Sequence, residues 1–196
     1  MSGILIAFEG LDQSGKETQA ARLRERFAEA GRTVHALSFP DYGTPIGKEI
    51  RAALDGQRDF APDTLQLLYI ANRHEYRADI EAWLAAGDVI VCDRYRASSI
   101  AYGDAQGLDA AWLRDTQRHL PEPTVIFLLD ISPEEAVRRK AHGRDKFERD
   151  LPLLLRVRES YRNQAAAEAW EVIDGERPKE EIEADIVQRL TSRGLL

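Results

Sequence analysis

Hydrophobic positions along the chain fall into two kinds of run. Residues 4–8, 33–39, 89–92, 124–130 and 171–173 are short and mostly apolar, the mark of strands buried on both faces. Between them lie stretches that predict helices over 15–30, 48–54, 63–86, 98–104, 109–119, 153–170 and 179–190. A further helix opens at Ser132-Pro133, an N-cap followed by a first-turn proline. The punctuation agrees. Gly31 and Gly87 stand just past helix ends, and Pro62 near a helix start. Residues 40–47 (PDYGTPIG) read as loop. Strands alternating with helices, with no repeat or low-complexity tract, predict one doubly wound α/β domain over 1–196. Its five-stranded parallel sheet is flanked by helices. In such sheets ligands bind beyond the carboxyl ends of the strands, so residues just after strands are the first candidates for chemistry.

The first strand runs into such a candidate. Gly10-Leu11-Asp12-Gln13-Ser14-Gly15-Lys16 fits G-x-x-x-x-G-K, in the strand–loop–helix context this motif requires. Glycines let backbone N–H groups turn onto phosphate oxygens, and the helix N-terminus adds unpaired donors and partial positive charge. Lys16 reaches toward the β- and γ-phosphates of a nucleoside triphosphate. The sheet is thereby expected to be of P-loop NTPase type, with residues 10–18 forming the phosphate loop. One position departs from the motif. The Ser or Thr that ligates Mg²⁺ is replaced by Glu17, with Thr18 following. One step along a helix turns a side chain by about 100°. Thr18 is therefore expected to meet a phosphate oxygen, leaving Mg²⁺ to other acids and water.

Composition narrows the partners. The net charge is −7 over 196 residues, which opposes general nucleic-acid binding and requires that positive groups for an anionic ligand be gathered locally. One such gathering is 138–149 (RRKAHGRDKFER), with six Lys or Arg against two acids. The single cysteine, Cys92, allows no internal disulfide. The apolar run at 4–8 is too short for a signal-peptide core or a membrane span, so a cytoplasmic protein without membrane partners is expected. The four histidines are scattered without metal spacing.

Four ordered segments resemble the thymidylate kinases: Phe8-Glu9-Gly10-Leu11-Asp12; Phe39-Pro40-Asp41-Tyr42 with Gly47-Lys48; Leu68-Tyr69-Ile70-Ala71-Asn72-Arg73-His74-Glu75; and Asp93-Arg94-Tyr95 continuing to Ser98 and Ala101-Tyr102. The resemblance covers nearly the whole chain. It implies transfer of the γ-phosphoryl group of ATP, with Mg²⁺, onto dTMP, giving dTDP for dTTP synthesis, in a homodimer. It also implies roles. Arg94 would bridge donor and acceptor phosphates, and Asp93 would lie near them and near Mg²⁺; a structural Arg–Asp pair is the plainer alternative. Asp12 would approach the acceptor sugar or Mg²⁺, or else cap the phosphate-loop turn. Tyr69 would stack on thymine, although an aromatic on an apolar helix is usually core. Arg73 would bond the base, unless it forms a surface ion pair with Glu75. Phe39 and Tyr42 would line the acceptor, with Asp41 standing where several relatives carry Arg. Ser98 and Ser99 would face the base, and Tyr102 would crowd the 2′ position of the sugar.

Position 13 is Gln, so the phosphate loop lacks the catalytic arginine that some relatives carry there. A helical lid at about 138–150 would supply it. Arg144 and Arg149 are expected to stabilise transferring charge and Arg139 to pack against adenine; a solvated basic helix face is the alternative. Three rival functions stand beside this one: a kinase for another nucleoside monophosphate or for a nucleoside, a non-catalytic nucleotide-binding regulator, suggested by Glu17, and a P-loop ATPase coupled to a partner.

Overall fold

The computed structural model describes residues 3–139 and 150–196. Five strands, β1 (Ile4–Glu9), β2 (Val34–Ser38), β3 (Val89–Asp93), β4 (Val125–Asp130) and β5 (Glu171–Asp174), form one sheet in the order β2-β3-β1-β4-β5. Every pairing is parallel, as the buried apolar runs require. The described helices are α1 (Lys16–Glu29), α2 (Pro45–Leu54), α3 (Pro62–His74), α4 (Arg77–Ala86), α5 (Arg96–Ala105), α6 (Ala110–Thr116), α7 (Pro133–Arg139), α8 (Leu151–Glu168) and α9 (Lys179–Ser192).

Side chains alternate across a strand, so each strand feeds two cores. Ile4, Ile6 and Phe8 join Leu23 and Phe27 of α1 and Ile182 and Ile186 of α9 on one face. Leu5 and Ala7 point the other way, into a core with Ile80 of α4 and with Ile90 and Cys92 of β3. Leu128 of β4 carries that second face onward to Ala97 and Ala101 of α5 and to Val157 and Tyr161 of α8.

Two expected boundaries are corrected. The single helix expected over 63–86 is two, broken between His74 and Arg77. No Gly or Pro marks the break; tertiary contacts impose it. Asn72 Nδ2 donates to the Glu75 carboxylate at 2.9 Å. The Tyr76 hydroxyl donates to Asp41, and its ring meets Phe39 edge-on at 5.7 Å. The expected loop over 40–47 ends early, because Thr44 Oγ1 accepts from Gly47 N at 2.9 Å and Pro45 opens α2. The expected lid falls almost wholly on 140–149, outside the described residues, and with it Arg144 and Arg149.

The register positions the site. Phe8 pairs with Asp93 and Glu9 with Leu128. Gly10 and Arg94 therefore leave the sheet side by side, and Arg94 N donates to Phe8 O at 2.9 Å.

Candidate active site

The phosphate loop depends on left-handed backbone. Gly10 has φ 137°, and a Cβ there would come 2.4 Å from Leu129 O, so only glycine passes over the end of β4. Gln13 (φ 66°) and Gly15 (φ 95°) follow in the same half of conformational space and turn successive N–H groups toward the loop's hollow. Lys16 opens α1 and is 5% exposed. Its ammonium donates to Leu11 O at 2.7 Å and to Ser14 Oγ at 3.4 Å, so Leu11 and Ser14 line the inside of the cradle. Burial, and then the nearby Arg94 cation, push its pKa down to about 8, against the opposing pull of Asp93, Asp12 and Glu9. Glu17 and Thr18 are exposed on the mouth of the cradle.

Arg94 sits at φ 63°, a left-handed conformation that a non-glycine residue adopts at a cost. The turn aims its side chain across the end of β1. Its NH2 donates to Asp12 Oδ1 at 2.9 Å, and its NH1 to Ser98 Oγ at 3.1 Å and Tyr161 OH at 3.0 Å. The guanidinium carbon lies 5.4 Å from the Tyr102 ring centre, and Tyr102 OH donates to Asp12 Oδ2 at 3.2 Å. Burial opposes charge on both Arg94 and Asp12. Their mutual attraction wins: the Arg94 pKa rises and Asp12, also facing Lys16, is held well below the usual carboxylate range.

Beneath this pair lies a carboxylate that sequence reasoning left among the motif letters. Glu9 is fully buried, and its Oε1 accepts from Tyr95 N at 2.8 Å. Its Oε2 accepts from Ser98 Oγ at 2.6 Å and Tyr161 OH at 3.2 Å. Ser98, expected to face the base, instead links Glu9 to Arg94. Tyr161, from α8, had no signal in the sequence; 152 positions separate it from Glu9.

Asp93 ends β3 beside Lys16. Its Oδ1 is buried and has no hydrogen-bond partner among the described residues. Both Asp12 oxygens, by contrast, are engaged by Arg94 and Tyr102. Among the described residues no three His, Cys, Asp or Glu side chains converge as a metal cage. The donor set fits Mg²⁺ that arrives with phosphate oxygens and water and takes one carboxylate from the protein, with Asp93 as that carboxylate.

The far end of the site is built by α3. Arg73 is 2% exposed, not on the surface, and does not pair with Glu75. Its NH1 donates to Ser99 Oγ at 2.8 Å and to Tyr69 O at 3.2 Å, and its guanidinium lies over Phe39, 5.9 Å from the ring centre. Burial lowers its pKa, though a guanidinium remains a cation. The loop after β2 is pinned to this helix by Asn72. Its Oδ1 accepts from Asp41 N at 2.8 Å, and its Nδ2 donates to Asp41 O and Thr44 Oγ1. Asp41 Oδ1 accepts from Gly43 N and its Oδ2 from Tyr76, so Asp41 locks the loop. Tyr42, 38% exposed, lies beneath the Arg51 guanidinium at 4.9 Å.

One cavity of about 460 Å³ joins the two ends. Asp12, Gln13, Gly15, Lys16, Glu17 and Thr18 line it at the phosphate loop, Asp93, Arg94, Ser98 and Tyr102 along its floor, and Phe39, Tyr42, Tyr69, Arg73 and Ser99 at the far end. Gln66 of α3 also lines it, a residue sequence reasoning passed over. Arg139 stands outside, where it donates to Gln13 O at 3.1 Å and Gly175 O at 3.0 Å and ties the phosphate loop to the turn after β5.

A cradle for a triphosphate, a fixed arginine and an aromatic-lined chamber for a second ligand thus share one cavity. The thymidylate kinase family model matches residues 8–186. The chain belongs to the thymidylate kinase family. It is 36% identical to the thymidylate kinase of Arabidopsis thaliana over 186 residues, 95% of this chain and 70% of that one. It is 35% identical to the thymidylate kinase of Plasmodium falciparum over 190 residues, covering 96% and 90%. The solved thymidylate kinase of Candida albicans superposes with a TM-score of 0.84 at 26% identity, over 99% of this chain and 93% of that one. These likenesses extend across all five strands and make the chain a phosphotransferase of thymidylate kinase type.

Proposed function

We propose that this protein transfers the γ-phosphoryl group of ATP to dTMP, giving dTDP and ADP, and that residues 1–196 act as one catalytic unit. The observation that carries the reading is the single cavity running from Lys16 past Arg94 to Arg73. Its two ends suit two ligands, and Arg94 stands between them.

The chemistry follows from charge. The acceptor phosphate oxygen is already ionised and attacks the γ-phosphorus in line, so no strong base is needed; positioning and charge stabilisation do the work. Backbone N–H groups of residues 10–16 and the Lys16 ammonium hold the triphosphate. Arg94 is kept cationic and fixed by Asp12, Ser98 and Tyr161, and presents its guanidinium to phosphate oxygens of both ligands. Asp93 would hold Mg²⁺, directly or through water, and the ion would neutralise charge building on the phosphates. Tyr69 and Phe39 flank the base, Arg73 bonds it, and Tyr102, held against Asp12, occupies the sugar's 2′ side. Arg139 offers a surface to adenine, and Arg144 and Arg149 of the lid add positive charge over the reacting phosphate.

A cytoplasmic location and a homodimer complete the proposal. Among the described residues no helix is long and apolar enough to cross a membrane. ADP release from Mg·ATP, measured with dTMP, dUMP, dGMP, AMP, CMP and thymidine singly and with no acceptor, tests the reading. Fast release with dTMP and slower with dUMP is expected. Preference for another acceptor would refute the base assignment, and binding of ATP without any release would leave a regulatory protein.

A further inference from the structure

Three buried groups on the cavity wall have no hydrogen-bond partner among the described residues: Asp93 Oδ1, Arg73 Nε, and both polar atoms of the Gln66 carboxamide. The first suits Mg²⁺. The other two lie on one face of α3, seven residues and about two turns apart, with Tyr69 between them. Gln66 is 1% exposed. Its stem is confined, because α5 approaches so closely at Gly103 that a Cβ there would lie 3.5 Å from Gln66 Cγ. Buried carboxamides are almost always paired, so one with both ends free in a cavity wall calls for a ligand.

The chemistry of the group says which ligand. A carboxamide sets an acceptor beside a donor. The ring of thymine sets an N–H donor between two carbonyl acceptors, the complementary edge. Resting on the dTMP kinase reading, we propose that Gln66 is a specificity-determining residue that reads this imide edge. Its Oε1 accepts from N3–H and its Nε2 donates to a flanking ring carbonyl, while Arg73 takes the other carbonyl. With Arg73 on O4 and Gln66 on N3–H and O2, both residues select the dione. The cytosine amino group would meet the donors of Arg73, and its N3 and O2 are both acceptors, which neither orientation of the Gln66 amide suits.

Steady-state kinetics of the wild type, Gln66→Met and Gln66→Leu with dTMP and with N3-methyl-dTMP test the inference. The wild type is expected to prefer dTMP by about tenfold or more in kcat/KM. Both variants should show a dTMP KM raised about tenfold, with kcat and the KM for ATP within about twofold, and should lose the preference over the N3-methyl analogue. A tenfold change corresponds to about 1.4 kcal/mol. An unchanged dTMP KM, or a preference as large in the variants as in the wild type, would mark Gln66 as a core amide and overturn the inference while leaving the kinase reading intact. A wild type inert toward dTMP but active on another monophosphate would instead overturn the underlying reading and this inference with it. Should neither variant fold, the wild type decides. Equal rates with dTMP and its N3-methyl analogue overturn the inference, and a tenfold preference supports it.

Discussion

Arg94 concentrates more of the site's physics than any other single residue. It accepts a strained backbone, and its planar fork serves Asp12, Ser98 and Tyr161 together. A lysine keeps the charge but has one donor centre and no fork. Arg94→Lys is therefore expected to lower kcat/KM for dTMP by about 100-fold, with the melting temperature showing whether the fold survives. Lys16 has a different signature. Burial holds its pKa in the folded protein down to about 8, below the ordinary lysine value of about 10.4. The unfolded chain thus binds the extra proton between these values, and Lys16 contributes stability that grows with pH across that window. Function runs the other way, since phosphate needs the ammonium. Falling kcat/KM for ATP above pH 8 is the expected profile, because this parameter reports groups of the free enzyme. A profile flat to pH 10 would show that Lys16 stays charged.

Among the elements, α3 couples the acceptor chamber to the fold. Asn72 is fully buried and makes four hydrogen bonds, to Asp41 N, Asp41 O, Thr44 and Glu75. Asn72→Ala leaves the Asp41 amide without its partner and is expected to cost about 2–3 kcal/mol, read as a shifted urea midpoint. Because the freed loop carries Phe39 and Tyr42, KM for dTMP should rise while KM for ATP holds. The lid makes a separate claim at this scale. Arg144→Ala and Arg149→Ala, made singly, are expected to lower kcat; if neither loses at least about tenfold, or 1.4 kcal/mol, the transition-state charge comes from elsewhere.

The whole molecule carries a net charge of −7, and the cations of its site are buried and individually held, Arg94 by Asp12, Lys16 by Leu11 O and Arg73 by Ser99, so anion binding does not call for a basic surface. Ligand binding should therefore register as global stability. At 100 times its Kd, dTMP is expected to add about 2.7 kcal/mol, which for a chain of this size raises Tm by roughly 5–10 °C. AMP at the same concentration should raise it less.

The sequence by itself determined the sheet and the strand–loop–helix cradle that Lys16 closes; Asp93, Arg94, Tyr69 and Arg73 are expected at the site from the family resemblance, and all four line the cavity. Sheet and cradle are local features: apolar period, glycine placement and motif spacing act over a few residues. Tertiary structure alone decided the rest. The break between α3 and α4 comes from Asp41 and Phe39, more than 30 positions upstream, and no local breaker announces it. Asp41 proved a loop lock because Tyr76 and Gly43 surround it. Glu9 and Tyr161 became supports of Arg94, and Gln66 a wall of the acceptor chamber, only when the parallel sheet set α8, α5 and α3 around the end of β1. Burial and hydrogen-bond satisfaction are properties of that three-dimensional neighbourhood, and no spacing along the chain encodes them.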